Sequence, residues 1–321
     1  MTNKIIYTAI TLRPEYLDTL QALAPNYEFR NPETPISTEE LAQVEMLLGW
    51  HPEIGQQILA LENHSLKWIQ ANSAGVDYLD LAQLAEQGIL LSNMSGIHAI
   101  PIAESVIGML LTRYRGIQAS ILGQAKREWV SYEAISYDEL NGKKMLIIGP
   151  GKIGQRLALI SQGLGVEVSG VSRSGRQLEH FKTIYKQADA AQHFAEYDII
   201  VNILPLTKET HHYYNDSFFQ QIKPGASFIN VGRGPSVDTD ALIRALETKQ
   251  LSFAGLDVFE EEPLAADSPL WAMENVLITP HISGLVRHFQ QKVTEIYREN
   301  LTSYLTNQTL TRNPVDLTAG Y

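Results

Sequence analysis

A glycine-rich segment near the middle of the chain has the residue types and spacing that bind a dinucleotide. The chain runs from Met145-Leu146-Ile147-Ile148 into Gly149-Pro150-Gly151-Lys152-Ile153-Gly154, and helix-forming residues follow. In this strand-to-helix context the first glycine allows a tight turn, the second lets a pyrophosphate approach the backbone, and the third lets helix and strand pack closely. The N-terminus of the helix attracts the anion. The segment therefore predicts a dinucleotide-binding site.

The end of the next predicted strand indicates which dinucleotide is preferred. An acidic residue about 20 positions after the glycine motif binds the ribose 2′-hydroxyl of NAD. This chain has Ser172, Arg173 and Ser174 there instead. A guanidinium between two hydroxyls suits a 2′-phosphate, so we expect NADP(H) to be preferred and NAD(H) to be possible. The alternative is that Arg173 is a solvated surface residue.

Further motifs, in their order, resemble the D-isomer-specific 2-hydroxyacid dehydrogenase family, including its glyoxylate/hydroxypyruvate reductase-like members. The resemblance extends from about Ser73 to Gly284. Besides the glycine segment, the motifs are Ser73-Ala74-Gly75-Val76-Asp77, Ala103-Glu104, Leu204-Pro205-Leu206-Thr207, Asn230-Val231-Gly232-Arg233-Gly234, Leu256-Asp257-Val258-Phe259-Glu260-Glu261-Glu262-Pro263 and Thr279-Pro280-His281-Ile282-Ser283-Gly284. The family implies a substrate domain formed by both chain ends, a central cofactor domain, and a dimer built around the helix near 101–122.

Reduction of a 2-keto acid needs a cation for the carboxylate and a proton donor for the carbonyl oxygen. Arg233 follows an apolar strand, where α/β sheets place their ligands, and its fork can hold both oxygens. The imidazole of His281 follows another strand and can donate a proton near neutral pH. The family's glutamate falls five residues after Asp257, which selects Glu262 as the partner of His281. We expect Glu260 and Glu261 to be solvated neighbours.

The resemblance implies further contacts. The backbone of Ala74, Gly75 and Val76 meets the substrate carboxylate, and Asp257 lies near the nicotinamide carboxamide, although it could instead only cap its turn. The remaining cofactor residues that the family implies are Leu204, Pro205, Thr207, Val231, Gly232, Ser283 and Gly284.

Two positions, one histidine and one tryptophan, leave alternatives open. His98 could contact the cofactor or only cap the long helix after it. Trp50 could form a wall of the substrate pocket or be a buried core indole. The adjacent pair His211 and His212 lacks a shared helical face, so we expect no metal site.

Short apolar runs alternate with amphipathic stretches, which predicts an α/β protein with parallel strands and crossover helices. We expect a first sheet from 5–8, 45–48, 67–71 and 90–92. A second, Rossmann-type sheet has six strands at 145–148, 166–171, 198–203, 227–231, 254–258 and 276–278. Helices are predicted for 101–117, for 238–248 with Asp238 as N-cap, and for 289–304. The last helix could pack on the N-terminal domain.

Composition excludes several functional classes. With no cysteine, the chain can form no disulfide framework, thiolate nucleophile or Cys-ligated metal site. Its 25 Lys and Arg against 36 Asp and Glu give a net charge of −11, which disfavours nucleic acids and anionic membranes as partners. No apolar stretch approaches the roughly 18 residues of a membrane span, and the N-terminus does not resemble a signal peptide. We expect a cytoplasmic protein.

These observations predict two domains, because 321 residues exceed the usual single domain of about 150. A flavodoxin-like substrate domain takes 1–97 and 285–321, and a dinucleotide-binding domain takes 98–284. We expect a homodimeric, NADPH-preferring reductase of small 2-keto acids that also oxidises D-2-hydroxy acids. The alternative is a dinucleotide-sensing interaction protein with the same fold.

Overall fold

The computed structural model describes residues 4–318, and the chain in it divides into two compact units. One unit extends to Ile97 and resumes at Val286, and the other is His98–Leu285. Within residues 4–318, no helix is both long and apolar enough to cross a membrane.

Twelve strands are present in the described residues. In chain order they are β1 (Lys4–Thr8), β2 (Tyr27–Arg30), β3 (Val44–Leu48), β4 (Trp68–Gln70), β5 (Leu90–Ser92), β6 (Lys144–Ile148), β7 (Glu167–Ser172), β8 (Ile184–Lys186), β9 (Ile199–Asn202), β10 (Ala226–Asn230), β11 (Leu251–Leu256) and β12 (Val276–Ile278).

Ten α-helices connect or flank the strands of residues 4–318. They are α1 (Pro14–Leu23), α2 (Thr38–Leu41), α3 (Pro52–Leu59), α4 (Leu81–Glu86), α5 (Ala99–Tyr114), α6 (Ile117–Lys126), α7 (Lys152–Gly163), α8 (Asp216–Gln221), α9 (Thr239–Glu247) and α10 (Phe289–Asn307).

The first unit contains a parallel sheet in the order β2-β1-β3-β4-β5. This is the flavodoxin-like order 2-1-3-4-5. Neighbouring residues of the inner strands β1 and β3 belong to different apolar clusters: Ile5 and Leu47 lie in one, and Ile6 and Met46 in the other. Both faces are therefore buried, as an all-parallel sheet requires. Helix α10 covers one face with α1, as predicted for the C-terminal segment.

The second unit contains a seven-stranded parallel sheet in the order β12-β11-β10-β9-β6-β7-β8. Counted from β6, its first six strands have the Rossmann order 3-2-1-4-5-6. Strand order reverses at β6, between β7 and β9, so the loops after β6 and β9 meet at the point where such folds bind dinucleotides. The predicted fold class is confirmed.

The structure corrects several predicted elements. The second sheet has seven strands rather than six, because β8 is a three-residue edge strand too short to show a period. Strand β2 also escaped prediction, since its sequence Tyr-Glu-Phe-Arg is half exposed throughout. The helix predicted at 101–117 ends at Tyr114, and Gly116, at φ 66°, turns the chain into α6.

Candidate active site

The loops that carry the predicted catalytic and cofactor residues leave the carboxyl edge of the second unit's sheet. Parallel strands end at the same edge, and β6, β7, β9, β10, β11 and β12 lie side by side in this sheet. The glycine segment follows β6, Arg233 follows β10, and His281 follows β12. The fold therefore brings together chemistry that is more than a hundred residues apart in sequence.

The glycine segment has the geometry that a pyrophosphate needs. Gly149 has φ 98°, and a Cβ there would lie 2.9 Å from the carbonyl oxygen of Ile203 at the end of β9. A Cβ at Gly154 would lie 3.0 Å from the Gly149 oxygen and 3.1 Å from Ile147. At Gly151 a Cβ would meet nothing within 4 Å. Two glycines thus serve packing, and the third leaves open space at the N-terminus of α7.

The Ser172–Ser174 segment lies at the end of β7, one strand from the glycine loop. Ser172 Oγ accepts a hydrogen bond of 3.1 Å from the Gly175 N–H, and Ser174 Oγ accepts one of 3.3 Å from the Arg176 N–H. The side chain of Arg173 is exposed. These contacts form a short polar turn in which Arg173 faces solvent.

His281 and Glu262 form the pair that the sequence predicted. His281 Nδ1 lies 2.7 Å from Glu262 Oε2, with the two side chains 55% and 35% exposed. The other carboxylate oxygen accepts a 3.0 Å hydrogen bond from the Phe259 N–H, which fixes its orientation. Because Nδ1 is engaged, the nitrogen left to exchange a proton with a substrate is Nε2.

Asp257 is a buried acid that holds the loop carrying His281 through hydrogen bonds. It is 1% exposed, and its carboxylate accepts hydrogen bonds from Thr279 Oγ1 at 2.6 Å, from the Ile282 N–H at 2.9 Å and from the N–H and hydroxyl of Ser283. The Asp257 carbonyl also accepts the His281 N–H at 2.9 Å. His281 itself has φ 55°, in the left-handed region. The contact of Asp257 with the nicotinamide remains a prediction. The hydrogen bonds observed here match the alternative, in which Asp257 caps its turn.

Glu260 is not the solvated neighbour that the sequence suggested. Its carboxylate lies 2.6 Å from His212 Nε2 and accepts the Thr239 N–H at 2.8 Å and the Thr239 hydroxyl. Burial raises the pKa of Glu260, but the bonds from Thr239 and His212 outweigh burial and hold its pKa below the usual value. Sequence spacing gave no sign of this contact, because His212 lies 48 positions away.

Arg233 lies in a turn pressed against the Glu262 loop. A Cβ at Gly234 would lie 1.7 Å from the Phe259 carbonyl oxygen, so only glycine allows the two loops to touch. Arg233 is half buried, and its Nη1 donates to the Gly232 carbonyl at 2.9 Å. The backbone next to Arg233 is therefore in direct contact with the beginning of the loop that carries Glu262.

The remaining cofactor residues of the prediction lie on the same edge. Thr207 N–H donates to Thr210 Oγ1 at 2.7 Å, and that hydroxyl donates to the Pro205 carbonyl at 2.7 Å. Thr210 was not predicted, although its spacing from Thr207 is typical of a hydroxyl-capped turn. The other predicted cofactor residues lie in the loops that follow β9, β10 and β12. They are Leu204, Val231, Gly232, Ser283 and Gly284.

His98 resolves one of the open alternatives in part. Its side chain makes no cap hydrogen bond to α5, and its Nδ1 lies 2.8 Å from the Gly284 carbonyl oxygen.

His211 and His212 stack on each other, with ring centroids 4.2 Å apart. Within residues 4–318, no three His, Asp or Glu side chains are placed to hold a metal ion.

The predicted substrate residues outside this unit lie together in the first unit. Side chains tie down the backbone of the 73–76 loop: Ser73 Oγ donates to the Gly75 carbonyl at 2.7 Å, and Asn93 Nδ2 donates to the Ala74 carbonyl at 2.9 Å. Trp50 is half buried and lies on Gly55, where a Cβ would fall 2.2 Å from the indole. A hollow of about 480 Å³ is lined by Trp50, Pro52, Gln56, Asn72, Ser73 and Tyr78.

Comparison with known proteins identifies the family. The sequence model described as "D-isomer specific 2-hydroxyacid dehydrogenase, NAD binding domain" matches residues 107–283. A glyoxylate/hydroxypyruvate reductase B from Shigella flexneri is 32% identical over 311 residues, covering 94% of each protein. A phosphoglycerate dehydrogenase structure from Lactobacillus plantarum is 41% identical with a TM-score of 0.58, covering 98% of this chain and 100% of that one.

A second solved structure is similar over the whole length. It is an NADPH-dependent glyoxylate/hydroxypyruvate reductase from Sinorhizobium meliloti in complex with NADP and sulfate, 26% identical with a TM-score of 0.82, covering 99% of this chain and 100% of that one. The chain belongs to the D-isomer specific 2-hydroxyacid dehydrogenase family, whose members are dinucleotide-dependent oxidoreductases.

Proposed function

We propose that this enzyme reduces small 2-keto acids to D-2-hydroxy acids and prefers NADPH to NADH. The observation that carries the proposal is the His281–Glu262 pair at 2.7 Å, in which Glu262 lies on the loop that contacts the Arg233 turn. A proton donor after β12 and a guanidinium after β10, at the same edge of the sheet with β11 between them, are what a carbonyl beside a carboxylate requires.

In this proposal each residue has a separate task. Arg233 binds the substrate carboxylate and carbonyl oxygen. A bound reduced nicotinamide supplies the hydride to the keto carbon. His281 donates the Nε2 proton to the carbonyl oxygen as it becomes an alkoxide. Glu262 stabilises the imidazolium before this transfer by accepting from Nδ1, and the transfer leaves His281 as a neutral imidazole.

The dinucleotide is assigned to the unit His98–Leu285. Two features support a fit between this unit and a dinucleotide. Gly151 has no side chain and leaves room at the start of α7, and a hydrogen bond to Thr210 fixes the turn at Thr207. The preference for NADPH rests on Arg173 between two serines at the end of β7, where NAD-specific folds carry an acid. Asp257, Ser283 and Gly284 complete the nicotinamide side of the site.

The first unit is assigned to substrate choice. Trp50 and Tyr78 give its hollow two aromatic surfaces, and Gln56, Asn72 and Ser73 give it amide and hydroxyl groups. Relatives bear the names of glyoxylate/hydroxypyruvate reductases and of a phosphoglycerate dehydrogenase. We therefore take glyoxylate and hydroxypyruvate as the first substrates to test, and add pyruvate and branched 2-keto acids to complete the substrate panel.

The decisive experiment follows loss of NADPH and NADH absorbance with this panel. We expect faster oxidation of NADPH than of NADH, and a fall in kcat of about 100-fold or more for His281→Ala. Arg233→Ala should raise KM for the keto acid and lower kcat, because the carboxylate loses its anchor. The matched control is Arg244→Ala, since this arginine is exposed and pairs with Asp216 on helix α8.

The cofactor and substrate claims can fail separately. Faster oxidation of NADH would refute the role of Arg173 and leave the role of His281 intact. Arg173→Ala should weaken NADPH binding and leave NADH binding unchanged. Binding of both dinucleotides without turnover of any panel member would refute the reductase proposal in favour of a dinucleotide sensor.

A further inference from the structure

Four buried polar side chains lie beneath the carboxyl edge of the second unit's sheet, and no step of the proposed reaction uses them. They are Asn202, Tyr214, Asn230 and Ser236, each at most 1% exposed. An unpaired buried polar group costs about 1–3 kcal/mol, so groups like these are kept only with partners. The hydrogen-bond partners of these four side chains therefore indicate the role of the side chains.

Asn202, at the end of β9, uses its entire hydrogen-bonding capacity. Its Nδ2 donates to Asn230 Oδ1 and to Ser236 Oγ, both at 2.8 Å. Its Oδ1 accepts from the Tyr214 hydroxyl at 3.0 Å and from the Leu204 N–H at 2.9 Å. Because a backbone N–H can only donate, the oxygen of the amide must be the atom that faces Leu204.

The same network ends on the backbone of the Arg233 turn. The Arg233 carbonyl accepts from Ser236 Oγ at 2.6 Å and from Asn230 Nδ2 at 3.2 Å. Asn230 Oδ1 also accepts the Gly232 N–H at 3.2 Å. Three hydrogen bonds between side chains and the backbone thus fix the turn from which the Arg233 guanidinium extends.

The network is also held from behind by the chain that carries Tyr214. The Tyr214 N–H donates to the Ser236 carbonyl at 3.0 Å, and burial raises the pKa of the Tyr214 phenol, so its hydroxyl remains a neutral donor. Tyr214 packs edge-on against Phe218 at 4.8 Å between ring centroids. The donor is therefore fixed in place by apolar packing.

We propose that Asn202, Tyr214, Asn230 and Ser236 form a positioning network that sets the Arg233 turn and the Leu204–Thr207 loop relative to each other. This inference rests on the proposed function, since it assigns the two loops to the substrate and the cofactor. Reactants must meet within about 3–3.5 Å, and a misplacement of about 1 Å costs on the order of 100-fold in rate. One network that reaches both loops removes that freedom.

The opposite end of the same sheet offers a matched control. Tyr114 and Ser227 are also buried, and their hydroxyls lie 3.5 Å apart at the amino end of β10. This pair has the same chemistry as Tyr214 and Ser236 and touches neither site loop. The test compares Ser236→Ala with Ser227→Ala, and Tyr214→Phe with Tyr114→Phe.

Ser236→Ala should have the larger effect, because the hydroxyl both donates to the Arg233 carbonyl and accepts from Asn202. We expect a rise in keto acid KM and a fall in kcat/KM of about 10- to 100-fold, against less than about 3-fold for Ser227→Ala. Tyr214→Phe should have a smaller effect, since Leu204 still donates to Asn202. Equal losses of kcat/KM in Ser236→Ala and Ser227→Ala would overturn the proposal.

Hydrogen exchange gives a readout that does not depend on catalysis. Amides in 203–207 and 230–236 should exchange faster in Ser236→Ala than in the wild type, and at wild-type rates in Ser227→Ala. Unchanged exchange in Ser236→Ala would refute the network. If the wild type reduces no keto acid, the proposed function fails, and the exchange comparison still decides whether the network positions these loops.

Discussion

At the scale of single residues, Asp257 links the buried sheet to the loop that carries His281, the proposed proton donor. Its carboxylate accepts from Thr279, Ile282 and Ser283, which are all donors on the His281 loop. An amide in its place would keep one oxygen as an acceptor and would turn an NH2 group toward Ser283, whose N–H and hydroxyl donate to the second carboxylate oxygen. The second oxygen of the acid is thus used by Ser283, whether or not Asp257 also contacts the nicotinamide.

We predict that Asp257→Asn lowers the free energy of unfolding by about 1–3 kcal/mol and lowers kcat, because the His281 loop loses an acceptor. Denaturant unfolding and steady-state kinetics measure the two effects. Asp238→Asn is the control, since Asp238 caps α9 through the Ala241 N–H at 3.0 Å and asparagine caps equally well. Wild-type stability and kcat in Asp257→Asn would contradict the prediction.

Gly151 allows binding to be separated from folding. A Cβ at this position meets nothing within 4 Å, so Gly151→Ala should leave the unfolding transition unchanged. In the complex the same methyl would occupy the approach of the pyrophosphate, and we expect a dinucleotide Kd at least about tenfold higher.

Fluorescence titration with NADPH checks the Gly151 prediction. Gly163→Ala is the matched control, because Gly163 also has nothing within 4 Å of its Cβ and lies at the far end of α7. An unchanged Kd in Gly151→Ala would show that the nucleotide does not approach this turn.

At the scale of the elements, short apolar runs identified ten of the twelve strands in residues 4–318 and missed two edge strands. The predicted ranges 90–92 and 276–278 coincide with β5 and β12, and the predicted cap Asp238 does accept the Ala241 N–H. The exposed edge strands β2 and β8 lack that pattern. Helix α5 was predicted too long because an apolar period does not reveal the left-handed turn at Gly116.

The site was predictable where a motif fixes the spacing, and not where contacts join distant segments. The pairing of Glu262 with His281 followed from resemblance and is present in the structure. The contact of Glu260 with His212 and Thr239 could not be predicted, because it depends on how two loops fold over the sheet edge. Asn202 looked like one polar residue at the end of an apolar strand.

The Glu260 contact predicts a pH dependence. A carboxyl whose pKa is lower in the folded state stabilises the fold above its unfolded-state pKa and loses that contribution as the pH falls through the folded-state value. The pKa of Glu260 is lowered in this way. Glu260→Gln should therefore reduce the free energy of unfolding by about 1 kcal/mol at neutral pH, and by less below about pH 4.

Urea unfolding of wild type and Glu260→Gln across this pH range measures the difference. The control is Glu261→Gln, whose side chain is exposed beside it. A difference that grows on acidification would contradict the assigned direction.

At the scale of the whole molecule, the segment 117–137 exposes more large apolar side chains to solvent than we expect of a monomer. Ile121, Trp129, Tyr132 and Tyr137 are all more than half exposed, and Trp129 is 99% exposed. Exposed apolar patches of this kind mark protein interfaces. We propose that this segment forms the dimer interface expected from the resemblance.

The wild type should then have a solution mass about twice the 35.9 kDa of the chain, and Trp129→Ser should shift it toward the monomer. Light scattering after size exclusion measures both. Leu305→Ser is the control, because Leu305 is an exposed residue of α10 in the other unit. A monomeric wild type, or a dimer unaffected by Trp129→Ser, would refute this interface.

The left-handed backbone at His281 determines which replacement can trap an unreacted complex. Asparagine adopts φ near 55° more readily than other residues with a Cβ, so His281→Asn should preserve the loop while removing the proton donor. Crystals of that variant soaked with keto acid and reduced cofactor should retain both reactants. A β-branched replacement would instead force the loop to relax, and its density would report a rearranged backbone rather than a stalled reaction.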